Sequence, residues 1–365
     1  MKIAPIMRAI EKHNASGKAT SIQAILIHTG QHYDYEMSQV FFEDLQLPEP
    51  YVHLDVGSGT HAEQTGKALV DIEKVLMGER PDVVVVVGDV NSTLAGALAA
   101  VKLHIPVAHV EAGIRSYDRS MPEEVNRLLV DHISDYLFTT SRYDDDNLRN
   151  EGIGTSRVFR VGNVTADSLL HSIEQVKKSS IISRLGLREQ GYALLTLHRP
   201  SNVDERLHLL EIIGAITRLS RELPVVFPAH PRTQSRLKEF DLLSGFPTIN
   251  LQSPGSNHRF LLIEPVGYID FLNLEMNARM VITDSGGIQV ETTILGVPCL
   301  TALDSPVWPI THDEGTNTLI GSWCEKLTEE ASRILNSENR RPSTSPELWD
   351  GNTGDRIVRI LADEP

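Results

Sequence analysis

Between His109 and Arg127 the chain reads HVEAGIRSYDRSMPEEVNR, bringing the carboxylates Glu111, Glu123 and Glu124 and the arginines Arg115 and Arg127 in just after an apolar run. A little upstream, GDVNSTLAGALAA sets Asp89 at the carboxyl end of the all-valine run 83–87. Carboxylates at two strand ends and one helix start can converge on one point. If their surroundings tune them apart, they can remove and deliver protons. Arg115 and Arg127 are natural counter-ions, because burying such charges unpaired is costly. Plainer readings use the same residues. Asp89 and Ser92 suit a helix cap. Glu123 and Glu124 follow Pro122, where a helix dipole favours acid, and Glu124 is assigned to that role. A structural ion-pair network would draw on this set too.

Three further motifs carry polar groups suited to an anion. TLHRPSNVD places His198 and Arg199 at a strand end, and FPAHPRT repeats the design with His230 and Arg232. VITDSGGIQVE runs a strand into Asp284, Ser285, Gly286 and Gly287 and then a helix. Glycines there let a phosphate approach free backbone N–H groups, although a plain tight turn has the same composition. Glu291, about one and a half turns into the helix, can reach ribose hydroxyls. Phe271, in GYIDFLNL, can stack on a base or fill a core. Neither a lysine-bearing phosphate loop nor a G-x-G-x-x-G signature is present.

The elements that must position these groups alternate. Residues 22–27, 83–87 and 106–110 read as strands, and 60–78, 92–103 and 122–137 as helices. A second series has strands at YALLTLH, LPVVFPAH, TINLQ, IEPV, MVITDS and PCLTAL, with helices at 205–222, 234–242, 268–277 and 286–295. Strand–helix alternation predicts parallel sheets. The expected fold class is α/β: two Rossmann-like doubly wound domains with an interdomain cleft. The domains are expected at 1–165 and 166–345, with a hinge between 162 and 190. Residues 346–365 should form a helix that packs back on the first domain.

Composition narrows the class. The chain has 365 residues, 41% of them hydrophobic, enough for two cores. A net charge of −15 argues against nucleic acid, which needs a basic face. The two cysteines, Cys299 and Cys324, make neither a disulfide framework nor a zinc site and read as reduced residues of a cytoplasmic protein. No signal peptide or membrane-length apolar run is seen, so no membrane partner is expected.

Together TGQHYDYEM, GDVNST, HVEAGIRS, MPEEVNR, HRPSNVD, GYIDFL, TDSGGIQVE and EGTNTLIG resemble the non-hydrolysing UDP-N-acetylglucosamine 2-epimerases in order and spacing, nearly end to end. The resemblance implies two Rossmann-like domains of the glycosyltransferase-B type, a homodimer, a UDP-sugar in the cleft, and no metal or other cofactor. It implies interconversion of UDP-GlcNAc and UDP-ManNAc, with C2 deprotonation, loss of UDP to give 2-acetamidoglucal, and re-addition. Asp89, Glu111 and Glu123 become the acid/base set, without an assignment of each to a face of C2. His198 would support the leaving diphosphate. Ser285, Gly286 and Gly287 would bind phosphate, Glu291 ribose and Phe271 uracil, with Lys2, Arg127 and His230 as further substrate contacts. Surface-polysaccharide synthesis is the pathway class implied.

Three departures accompany the resemblance. The family opens with a strand and a GTRPE-like turn before IKMAP, whereas this chain opens MKIAP. Lys2 matches the family's lysine, and the reading frame is expected to begin about 12 residues upstream, a strand and its turn; a natural, impaired variant is the alternative. Trp308, in SPVWP, stands where the family often has arginine. Gln31, His32 and Arg199 match part of a regulatory site of some members, but YDYEM after them is longer, so no regulation is expected. The competing readings are a hydrolysing relative that releases ManNAc and UDP, a UDP-sugar-binding protein without turnover, and a glycosyltransferase.

Overall fold

The computed structural model of the chain describes residues 1–17, 20–30, 42, 45, 47–242, 259–303, 307–321, 323–337 and 345–363. Gln31, His32 and YDYEM, the strand expected at TINLQ, Ser305, Pro306 and the side chain of Cys324 lie outside the described residues. Two compact units are formed, Met1–His171 with Glu347–Pro365, and Ser172–Pro346. The division falls inside the helix Val164–Val176.

In the first unit, β1 (Ile27–His28) pairs in parallel with β2 (Val52–His53). A separate parallel sheet runs in the order β3 (Val84–Val87), β4 (Val107–Ala112), β5 (Tyr136–Thr139), β6 (Val158–Arg160). Two expectations are corrected here. The strand placed at 22–27 is shorter and later. Ile22 is held instead by the Asn14 side chain, which accepts its N–H and donates to its carbonyl, so this backbone has a local alternative to a ladder. The helix placed at 122–137 ends at Ile133, where Ser134 turns extended. Asp135 then leads into β5: its N–H bonds Val107 O at 2.8 Å and its carboxylate accepts the Val107 N–H at 2.9 Å.

All six residues of β4 are buried, as a strand covered on both faces requires. Its register against β5 slips between Val110 and Ala112, and the residue that slips is Glu111, with φ +68°. A bulge of this kind re-aims one side chain.

The last helix, Thr353–Asp363, packs on the first, Ala4–Ala15, with Ile6, Ala9, Ile357 and Val358 in one cluster. The approach is close: a Cβ on Gly354 would stand 2.5 Å from the Pro5 carbonyl. Trp349, 1% exposed, donates its indole N–H to Thr140 O at 3.0 Å.

The second unit is a six-stranded parallel sheet built from β7 (Ala193–Thr196), β8 (Val225–Pro228), β9 (Phe260–Ile263), β10 (Met280–Thr283), β11 (Cys299–Thr301) and β12 (Asn317–Leu319). Across the sheet they lie β12-β11-β10-β7-β8-β9, the dinucleotide-fold order, whose topological switch falls between β7 and β10. Side chains alternate between two cores: Ala193 and Leu195 join Ile212 and Phe227, and Leu194 joins Val281 and Leu274. The strand expected at IEPV is FLLI instead, because Pro265 has no N–H for a ladder.

Candidate active site

The bulge gives Glu111 its surroundings. Its Oε2 accepts from Lys2 Nζ at 2.5 Å, and its Oε1 is buried with no hydrogen-bond partner among the described residues. Lys2 lies over Gly88, the last residue before Asp89; a Cβ on Gly88 would be 3.3 Å from Nζ. Burial works against the Lys2 charge, but Glu111 and then Asp89 outweigh it, and the lysine pKa is raised.

Asp89 faces Arg127. The guanidinium donates to Asp89 Oδ2 from Nε at 3.0 Å and Nη2 at 2.8 Å, and from Nη1 to Glu124. Asn126 donates to the Asp89 carbonyl at 2.9 Å. Glu124 also accepts the N–H groups of Ser116 and Tyr117 and the Ser116 hydroxyl, so it ties the loop after β4 to this helix. Glu123 is half-buried, and its side chain has no hydrogen bond or ion pair among the described residues. Arg115 is not a counter-ion of the acid set. It grips Glu151 through two bonds of 2.7 Å and Asp131 at 2.8 Å, because its side chain turns toward the helices behind the sheet.

Behind the acids lies a buried relay that sequence reasoning missed. His109 contacts Asp131 through Nδ1 at 2.7 Å and the Gly88 carbonyl through Nε2 at 2.8 Å. Asp131 also accepts the Gly113 N–H. Burial would raise the Asp131 pKa, but His109 and Arg115 hold it below the usual carboxylate range. The signal was present: one histidine inside the otherwise apolar VAHV.

In the second unit the polar groups gather at the switch point. Asp284, fully buried after β10, accepts the N–H groups of His198 and Arg199, the Asn202 amide and His198 Nδ1 at 2.9 Å. Burial opposes its charge, yet His198 and the other donors lower its pKa. With Nδ1 engaged, Nε2 is the ring nitrogen left for a ligand, and the side chain is 41% exposed; its ring centroid is 5.7 Å from that of His230. His230 Nδ1 accepts the Arg232 N–H. The Arg232 side chain is engaged by Asp204, which removes it from the expected anion site.

Ser285 precedes the helix Gly286–Leu295 and makes no side-chain cap bond. A Cβ on Gly286 would lie 3.2 Å from Trp308 Nε1; one on exposed Gly287 would meet nothing nearer than Ser285 Oγ at 3.9 Å. First-turn N–H groups left open in this way suit an anion. Glu291 is 4% exposed and accepts from the Tyr268 hydroxyl at 3.2 Å; burial pushes its carboxyl up to about 7. Phe271 is half-buried against the Leu194–Val281 core. The geometry thus forms an acid set with a lysine in one unit and an anion-suited strand-end cluster in the other.

The family profile described as UDP-N-acetylglucosamine 2-epimerase matches residues 14–362. A UDP-N-acetylglucosamine 2-epimerase of Methanocaldococcus jannaschii is 46% identical over 99% of this chain and 95% of its own length. Its crystal structure with UDP-GlcNAc and UDP superposes with a TM-score of 0.86 over the same shares. The Neisseria meningitidis enzyme bound to UDP-GlcNAc is 28% identical, with a TM-score of 0.85 over 100% of this chain and 96% of that one. A UDP-2,3-diacetamido-2,3-dideoxy-D-glucuronate 2-epimerase of Pseudomonas aeruginosa is 41% identical over 94% of this chain and 92% of its own. The strand-end acids, the switch-point cluster and these matches lead to one conclusion: the chain belongs to the UDP-N-acetylglucosamine 2-epimerase family.

Proposed function

We propose that the chain interconverts UDP-GlcNAc and UDP-ManNAc by elimination and re-addition. A carboxylate removes the C2 proton, and the C2 electron pair forms the C1–C2 double bond as the C1–O bond to UDP breaks. The products of this half-reaction are 2-acetamidoglucal and UDP. Return of the diphosphate oxygen to C1, with a proton delivered to the other face of C2, gives the epimer. The reaction needs acid/base groups on opposed faces and a stabilised leaving diphosphate.

The observation that carries this reading is Glu111. It is buried on a bulge, has one oxygen uncommitted among the described residues, and shares a sheet edge with Asp89. In this reading Asp89, Glu111 and Glu123 form the acid/base set. Lys2 compensates charge on Glu111, and Arg127 orients Asp89. His198, fixed through Nδ1 by Asp284, supports the leaving diphosphate with His230 beside it. Ser285, Gly286 and Gly287 hold a phosphate, Glu291 the ribose and Phe271 the uracil. The working form is a homodimer, which light scattering on the purified chain would test.

The decisive experiment is incubation with UDP-GlcNAc in D2O, followed by proton NMR. UDP-ManNAc carrying deuterium at C2 supports the reading, free ManNAc would mark a hydrolase, and no turnover would sink it. The Pseudomonas relative makes UDP-2,3-diacetamido-2,3-dideoxy-D-glucuronate the second substrate to run.

A further inference from the structure

Glu291 is not the only buried acid at its position. Glu275, on the helix Tyr268–Met276, is 0% exposed, and both its carboxyl oxygens are buried without a nitrogen or hydroxyl donor among the described residues. Its polar neighbour is the Glu291 carboxyl, within hydrogen-bonding reach. Glu291, by contrast, has the Tyr268 hydroxyl as a donor. Two carboxylates cannot both stay ionised side by side out of water, so the pair must hold at least one proton. Glu291 has the better anion site, because the tyrosine donates to it. The proton therefore belongs to Glu275, whose acceptor among the described residues is Glu291.

We propose that Glu275 is a positioning residue for nucleotide binding: it keeps the shared proton, donates it to Glu291, and so holds Glu291 as an oriented anion for the ribose hydroxyls. This rests on the assignment of Glu291 to the ribose made above. The directions of titration agree. Burial and the Glu291 charge raise the Glu275 pKa well above the carboxylate range; burial raises Glu291 too, but only to about 7, because the bonds from Tyr268 and Glu275 pull against it. Among the described residues the other titratable groups facing the pair are Tyr268 and Cys299; burial pushes the Cys299 thiol up to about 12 and the tyrosine up also, so both stay neutral. Below a pH of about 7, Glu291 takes a proton of its own. It then offers one acceptor fewer to a diol, and nucleotide affinity falls.

The test is calorimetric titration of UDP and of 2′,3′-dideoxy-UDP from pH 5.5 to 8.5 into the wild-type chain, Glu275→Gln and Glu275→Leu. The two ligands share the same phosphates, so their affinity ratio isolates the ribose contact from phosphate titration. In the wild type that ratio should fall about tenfold per pH unit below the midpoint. Glu275→Gln keeps an N–H donor toward Glu291 and should keep the midpoint. Glu275→Leu removes the donor and should move the midpoint up by about one unit or more, costing about tenfold in the ratio at pH 7. An unmoved midpoint in Glu275→Leu, or an upward shift in Glu275→Gln, overturns the positioning role. A wild-type ratio of one at every pH overturns instead the ribose assignment of Glu291. Glu275→Met, closer in shape, replaces the leucine variant if that does not fold.

Discussion

Glu111 should be a residue the fold would be more stable without. It occupies the left-handed region at φ +68°, where a side chain costs about 1–2 kcal/mol. Its Oε1 is buried and has no partner among the described residues, which costs about 1–3 kcal/mol more. Against this stands the Lys2 pair. Because the Lys2 side chain is 41% exposed, solvent screens that pair to about 0–1 kcal/mol. Glycine at the position relieves both strains and adds about 0.5–1 kcal/mol of unfolded-state entropy. The balance favours Glu111→Gly by about 2 kcal/mol, a rise of about 4–8 °C for a domain of this size. Glu111→Ala, which keeps the backbone strain, should melt between the two. Differential scanning calorimetry would read the melting points, and C2 deuterium exchange in UDP-GlcNAc would read the chemistry, which should vanish in both variants. If Glu111→Gly melts at or below the wild type, or level with Glu111→Ala, the strain argument is wrong. If either variant exchanges C2 at the wild-type rate, the acid/base role is wrong.

Three further outcomes follow from the same geometry. Gly287→Ala has room for its methyl, so its melting point should hold while UDP affinity drops at least tenfold; unchanged affinity by calorimetry would remove the phosphate from that helix start. Asp131→Leu strips His109 and Arg115 of a buried partner and should cost about 3–5 kcal/mol in urea denaturation; a loss under 1 kcal/mol would show the relay to be dispensable. Glu275 and Glu291 are raised in the folded state, which therefore holds more protons than the unfolded chain. Their stabilisation is complete below the unfolded carboxylate pKa and falls as pH rises above it, until for Glu291 it is gone once pH passes about 7. Glu275→Gln should accordingly flatten the decline in melting temperature between pH 6 and 9, and a slope equal to wild type would contradict the shared proton.

Much of this could be read in the sequence because it is local. The valine run, the acids at strand ends and the Ser-Gly-Gly turn are each contained in about ten residues, and the structure brings His198 and Ser285 to one switch point. What escaped was long-range or hidden by a neighbour. YLFT directly follows a helix and was absorbed into it. FLLI was overshadowed by the IEPV run that ends it. The bulge at Glu111 has no mark in HVEAG, since its cause is the register of β5. Arg115 meets Glu151 and Glu275 meets Glu291 only after the sheet order is set, and no spacing rule links them.

The first unit is discontinuous, and this has a consequence for synthesis. Its last helix and Trp349 are synthesised only after all of Ser172–Pro346. The second unit can therefore complete its six-stranded sheet during translation, while Ile6 and Ala9 still lack the helix that covers them. The unit that begins first must finish last, and a nascent chain stalled before residue 347 would display that apolar face to chaperones.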